Sequence, residues 1–350
     1  MIMNKGTVHG GDIYSQRIRL DFSASVHPLG MPDKALEAAK KSLQSADAYP
    51  DPFCGALREK LAERLGTGTG DVIFGNGAAE LIYHFALALR PKKALLPVPC
   101  FSEYAAALRA CGSEPVFYRI PRETGFVLPE DFQEQIRPGT ELVMLCSPNN
   151  PTGRSVLPEQ ILGILKRCRE TGTWLFWDEC FYELTDRDRV FSLAGYLKEN
   201  DRVFVLRAFT KAYGMAGLRL GYGISKNREL MERMCGFCQP WNVSVPAQAA
   251  GLAALDCPEW PNLARDLIRS EKPYLKRALS ALGMEVLEGD ANFLFFTGPE
   301  GLAEALKKKG ILIRDCADFE GLQKGDYRVA VRTHPENEEL IQAVSEVLHG

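Results

Sequence analysis

Between Asp71 and Ile224 the chain alternates short, almost unbroken apolar runs with longer stretches whose apolar positions recur every three or four residues. Val72 to Phe74, Ala94 to Val98, Pro115 to Arg119, Glu141 to Cys146, Trp174 to Trp177, Val203 to Leu206 and Leu218 to Ile224 are of strand length. Runs that are apolar at successive positions belong to strands covered on both faces. Leu81 to Leu89, Cys100 to Cys111 and Pro158 to Thr171 have helical spacing and fall between them. This order predicts an α/β fold with a mostly parallel central sheet, helices on both faces, and chemistry gathered at the carboxyl ends of the strands.

The flanks read differently. His9 to Tyr14 and Leu20 to Gly30 are rich in glycine, proline and polar residues and suggest a covering arm. Leu36, Ala39 and Leu43 mark one helix within Asp33 to Ala46, and Leu57, Leu61 and Leu65 a second that Gly66 closes. Past Trp241, Val245 to Leu282 is helical with breaks at Pro258 and Pro261. Strands at Ile311 to Arg314 and Tyr327 to Arg332 then lie among helices from Leu302 to Lys308 and Glu338 to Leu348. The expected organisation is a large domain over 47–250 and a smaller α+β domain in which 251–350 joins the arm, 1–46.

Composition narrows the function classes. The 350 residues are 46% hydrophobic and 25% charged, with a net charge of −3 and no basic block, so neither nucleic acid nor an acidic membrane is implied as a partner. No apolar run has the length of a membrane span, and Met1 to Arg19 lacks the apolar core of a secretory signal, so a cytoplasmic protein is expected. Ten irregularly spaced cysteines fit reduced thiols, and the single Cys235/Cys238 pair lacks the further ligands of a metal site.

Candidate chemistry gathers where strands end. Gly75-Asn76-Gly77-Ala78-Ala79-Glu80 reads as a turn that aims the first backbone N–H groups of a helix at an anion. It lacks the third glycine and the distant acid of a dinucleotide site. Ser147 to Gly153 and Asp178-Glu179 each follow a strand and should meet that turn in one crevice. Lys211 is placed on a loop between two core strands. There it is either a solvated lysine or a Schiff-base amine, and the second role needs a hydroxyl neighbour, an arginine and distant acid and amide partners. Thr210, Arg219, Asp178 and Asn150 supply these. Arg314 and Arg328 lie in apolar strands and should each face an acid, either structural or carried by a ligand.

The motifs GNGAAE, SPNNPTG, WDE, FTKAYGMAGLRLGY and YRVAVRT together resemble the pyridoxal-phosphate-dependent aminotransferase fold, the aspartate aminotransferase-like class. Within that fold, HGGDIY, LDFSASVHPLG, AYPD and ILIRDCADFEGL are similar to the threonine-phosphate decarboxylases, which make aminopropanol phosphate for cobalamin assembly. Histidinol-phosphate aminotransferases are the nearest siblings. The resemblance implies pyridoxal 5'-phosphate as cofactor, with Lys211 as the Schiff-base lysine and Asp178 at the pyridine nitrogen. Asn150 would bond the phenolic oxygen and Phe101 would stack on the ring. Ala78, Ala79, Thr210 and Arg219 would hold the cofactor phosphate, helped by Tyr49 of a second subunit in a homodimer. For a phosphorylated amino-acid substrate, Arg328 would bind the carboxylate, and His9 and Arg314 the phosphate. Ala208 replaces a hydroxyl of the family pattern. Ser25 and His27 replace asparagines expected beside the substrate. Decarboxylation of L-threonine O-3-phosphate is the expected reaction, and transamination of histidinol phosphate or an aromatic amino acid the alternative.

Overall fold

The computed structural model describes residues 9–14, 17–186 and 190–350. Met1 to Val8, the start of the expected covering arm, lies outside the described residues. The first elements in chain order are β1 (Leu20–Asp21), α1 (Asp33–Ser42), α2 (Gly55–Leu65), β2 (Val72–Asn76), α3 (Ala78–Leu89), β3 (Lys93–Val98), α4 (Ser102–Ala110) and β4 (Glu114–Arg119). Next come β5 (Leu142–Cys146), α5 (Pro158–Thr171), β6 (Trp174–Asp178), β7 (Val203–Ala208), α6 (Phe209–Ala212), β8 (Leu220–Ile224), α7 (Arg228–Cys235) and α8 (Val245–Ala254). The chain finishes with α9 (Trp260–Ala281), β9 (Glu285–Val286), β10 (Phe293–Thr297), α10 (Leu302–Lys308), β11 (Ile311–Leu312), β12 (Arg314–Asp315), β13 (Asp326–Ala330) and α11 (His334–His349).

Seven strands form the central sheet in the order β2-β8-β7-β6-β5-β3-β4. Alternate strand residues feed two different cores, as the period-two geometry of strands requires. Val143, Leu145, Val203 and Val205 pack with α2, α5 and α8, whereas Met144, Phe176, Phe204 and Leu206 pack with α3, α4 and α7. On the latter side Phe85 meets Phe176 and Phe204 with ring centroids 5.0 and 5.3 Å apart. Each such aromatic pair contributes about 0.5–1.5 kcal/mol beyond burial.

The sheet is parallel except at β8, which runs antiparallel to both β2 and β7. That reversal shapes the site. The amino end of β8 lies beside the carboxyl ends of its neighbours, with Asn76 opposite Leu220. Arg219 is thereby delivered to the same edge as the turn before α3.

A second, antiparallel sheet has the order β12-β13-β10-β9, and Arg314 stands directly opposite Arg328 in its register. The arm joins this part of the molecule: β1 pairs with β11, and Phe22 is buried among Leu294, Ile313, Val329 and Leu340. The helix expected from Glu338 begins at His334. Thr333 caps it through hydrogen bonds of its N–H and Oγ1 to Glu336 Oε2, at 3.1 and 2.6 Å, an entry signal in the polar residues ahead of the apolar stripe. Among the described residues, no helix is long and apolar enough to cross a membrane, and no group of three or more metal-ligating side chains is found.

Candidate active site

Five strand ends converge on a cleft of about 450 Å³. Ala78 and Ala79 follow β2, Phe101 follows β3, Asn150 follows β5, Asp178 ends β6, and Thr210 and Lys211 follow β7, all on the wall of this one cleft. Arg219 enters ahead of β8, Arg314 and Arg328 come from the second sheet, and His9 and Ser23 from the arm. Every expected site residue except Tyr49 therefore meets here. Lys211, Arg219, Arg314 and Arg328 outnumber the two carboxylates of the wall, Glu103 and Asp178, so the cleft suits an anionic ligand.

Lys211 lies in the single turn of α6 rather than on an open loop. Removal from water and the positive charges of Arg328 and Arg219 bring its ammonium down to about 8, against the pull of Cys180 and Asp178. A neutral amine, the nucleophilic form, is thus accessible near physiological pH. Burial pushes the Asp178 carboxyl up, opposed by the hydrogen bonds it accepts. Tyr104 Oη donates to Asp178 Oδ2 at 2.6 Å, and the Cys180 N–H donates to Oδ1 at 2.8 Å. Tyr104 escaped the sequence reading because it looks like one more core aromatic of α4. Its only clue was its place one turn after Phe101.

Neighbouring residues of like chemistry divide the work. Glu179 faces away from the cleft and takes the buried Arg207 guanidinium at 2.7 and 2.9 Å, a structural pair. Asn149 ties its own loop together through Thr152 Oγ1 and joins it to the loop after β3 through Pro99 O, while Asn150 Oδ1 accepts from Arg328 Nη1 at 2.5 Å. The turn before α3 depends on glycine. Gly77 has φ +80°, and a Cβ there would lie 2.4 Å from Arg219 Nη2; at Gly221 one would lie 2.3 Å from Ala78 N. Arg219 can therefore lie across the turn, beside the backbone N–H groups that open α3.

The two strand arginines differ. Arg314 has its acid inside the protein: Nη2 meets both oxygens of Asp318, at 2.7 and 2.9 Å, and Nη1 donates to Asp315 O. Arg328 bonds no carboxylate among the described residues. It donates to Asn150 Oδ1 and to Ser23 O at 2.6 Å, and its Nε is buried without a partner. His9 Nε2 lies 2.9 Å from Glu103 Oε1, whose other oxygen accepts from Tyr83 Oη, so the arm is pinned at the cleft mouth.

Two expectations about the arm need correction. His27 is stacked on Trp260 with centroids 5.1 Å apart and bonds Trp260 O at 3.0 Å, and Ser25 is buried away from the cleft. Neither lies beside the substrate space, because the arm turns inward after Ala24. Tyr49 is 77% exposed outside the cleft and stacks on Trp241.

A model of the class I and II aminotransferases matches residues 17–344. The chain belongs to that family. Its fold is aspartate aminotransferase-like, and the cofactor of the family is pyridoxal 5'-phosphate. The threonine-phosphate decarboxylase of Salmonella typhimurium is 35% identical over 98% of this chain and 97% of its own. The histidinol-phosphate aminotransferase of Methanosarcina mazei is 36% identical over 93% of this chain and 87% of its own. Among solved structures, the histidinol-phosphate aminotransferase from Clostridium acetobutylicum superposes with a TM-score of 0.87 at 27% identity, covering 94% of this chain and 99% of that one.

The cleft of this aminotransferase-family chain fits the cofactor by its donor set. A helix start with an arginine across it suits a phosphate, and a buried carboxylate whose oxygens are each held by one donor keeps lone pairs for a ring nitrogen. The amine of Lys211 faces the same space. Tyr104→Phe is expected to leave the fold intact and weaken retention of pyridoxal phosphate about tenfold, as loss of a bond to a charged group predicts. Cofactor absorbance during dialysis measures it. Unchanged retention would leave Tyr104 a packing residue.

Proposed function

We propose that the chain decarboxylates L-threonine O-3-phosphate, or a close phosphorylated amino acid, to the corresponding amine phosphate. The observation that carries this reading is the buried, acid-free Arg328, opposite Arg314 in the sheet register. A buried guanidinium without a carboxylate is costly, and a ligand carboxylate relieves that cost. Arg314 and His9 then lie on the side where a distal phosphate ester would reach.

Ala78, Ala79, Thr210 and Arg219 would hold the cofactor phosphate, Asp178 the pyridine nitrogen, Asn150 the phenolic oxygen, and Phe101 one ring face. When bound, pyridoxal 5'-phosphate supplies an electron sink for negative charge left on the amine-bearing carbon. Lys211 would hold the cofactor at Nζ between turnovers and would deliver a proton to the carbon from which carbon dioxide has left. Arg328 fixes the carboxylate, and with the far end of the substrate gripped separately, the bond to that carboxylate is the one oriented for cleavage.

Transamination is the second reading, favoured by the comparable identity of the Methanosarcina relative. A product balance from O-phosphothreonine with and without 2-oxoglutarate separates the two. Carbon dioxide and an amine phosphate support decarboxylation; glutamate formed in step with a keto product supports transamination. Arg314→Ala is expected to lower kcat/KM about tenfold or more for phosphorylated substrates and to spare unphosphorylated ones. Equal losses would remove the phosphate role. The exposed, stacked Tyr49 and Trp241 form an aromatic pair suited to a second copy of the chain, through which Tyr49 would reach the partner's cofactor phosphate.

A further inference from the structure

Arg314 and Arg328 are register partners on adjacent strands, and like charges in that position repel. Only Arg314 is neutralised from within, by Asp318. The guanidinium is buried and lies on the cleft wall with Phe319 4.9 Å away, whereas Asp318 is 30% exposed and lines an open depression on the other side of the loop, with Arg119, Arg122 and Gln323. The carboxylate thus reaches the arginine from outside the cleft, and a path leads back to solvent.

We propose that Asp318 is a specificity-determining residue: an internal stand-in that occupies Arg314 until a doubly charged distal group on the substrate displaces it. This rests on the reading of Arg314 as the contact for a substrate phosphate. The discrimination follows from charge. A neutral side chain has nothing to offer Arg314 and leaves the pair intact. A ligand carboxylate brings one charge against a tethered carboxylate that already has the advantage of high local concentration. A phosphate ester brings close to two charges at neutral pH and three acceptor oxygens, so it wins the guanidinium. Once freed, Asp318 can turn outward to the open depression, where Arg119 and Arg122 already pair with Glu320 and Asp326 and solvent receives its charge. The Arg314–Asp318 pair would therefore select dianionic over monoanionic amino acids within a cleft that attracts both.

The test uses the cofactor-loaded protein and the change in its cofactor absorbance on binding O-phospho-L-threonine, L-glutamate or L-threonine, with inorganic phosphate as a competitor. Asp318→Asn is expected to bind O-phosphothreonine and inorganic phosphate about tenfold more tightly and L-glutamate, whose distal carboxylate then has no tethered rival, by a larger factor, so that the preference for the dianion falls while L-threonine stays within about twofold. Asp315→Asn removes the same charge from the same segment while keeping the backbone carbonyl that accepts from Arg314, since the Asp315 carboxylate bonds the Ala317 N–H instead, and is expected to change none of these. Asp318→Ser serves as the second variant should the asparagine protein fail to load with cofactor. Unchanged or weaker phosphate binding in the Asp318 variants overturns the proposal, as does an equal gain in Asp315→Asn, which would reduce the effect to net charge. Failure to bind either phosphate probe overturns it too. The reaction assignment fails separately: it would show as absent carbon dioxide with the affinity change intact.

Discussion

Lys211→Ala protein is expected to lose covalent retention of pyridoxal phosphate and about a thousandfold or more in turnover. Both the anchoring amine and the proton carrier disappear together, and positioned acid–base groups alone contribute about 10²–10⁴-fold. Lys211 is the one lysine on the cleft wall among the described residues, so no neighbour can replace it. Borohydride reduction followed by peptide mass spectrometry should place the cofactor on Lys211 in the parent protein and nowhere in the variant. Cofactor mass on another lysine would remove the central role. The sign of the pH dependence follows from an amine lowered to about 8: capture of free cofactor should accelerate as pH rises and level off above about 8. An ordinary lysine would keep accelerating to well above that.

Arg328→Ala should lower kcat/KM by about 10–100-fold for phosphorylated and unphosphorylated amino acids alike, because each presents a carboxylate to the same guanidinium. The change also strips donors from Asn150 Oδ1 and Ser23 O, so the amide loses its orientation and the arm its tie to the second sheet. Arg328→Lys should recover little of the loss, since a point charge cannot span the two acceptors. Steady-state kinetics with both substrate types gives the measure. A loss confined to phosphorylated substrates would assign Arg328 to the phosphate instead, and unaltered kinetics would make it a structural residue.

The contrast between these two arginines shows what the sequence could and could not tell. Polar residues placed where apolar runs stop, such as Asp178 after Trp177 and Asn150 after Cys146, mark strand ends, and strand ends share an edge. That much was legible. Which of two adjacent polar residues faces the edge followed from the motif resemblance and not from the apolar pattern: Asp178 and Glu179, or Asn149 and Asn150, differ only in the pleat and loop geometry around them. Tyr104 and Glu103 were hidden for another reason. Both are ordinary residues of an amphipathic helix, and their partners Asp178 and His9 are 74 and 94 positions away. The antiparallel β8 was read as one more strand of a mostly parallel sheet, because strand direction is fixed by the connection and not by the apolar run. His27 was misplaced since only the three-dimensional path of the arm brings it to Trp260.

The reversal at β8 also bears on how the protein is made. The proposed phosphate cradle would join the turn after β2 to an arginine ahead of β8, and their strands pair Asn76 with Leu220, 220 − 76 = 144 positions apart. Contacts so distant along the chain are slow to form because loop closure must precede their reward. A nascent chain that has emerged only as far as β7 holds the lysine-free half of the cradle with nothing to complete it. Cofactor capture should thus come late in synthesis, and chains stalled before β8 should expose the flank of β7 as an unpaired edge, prone to association and to proteolysis.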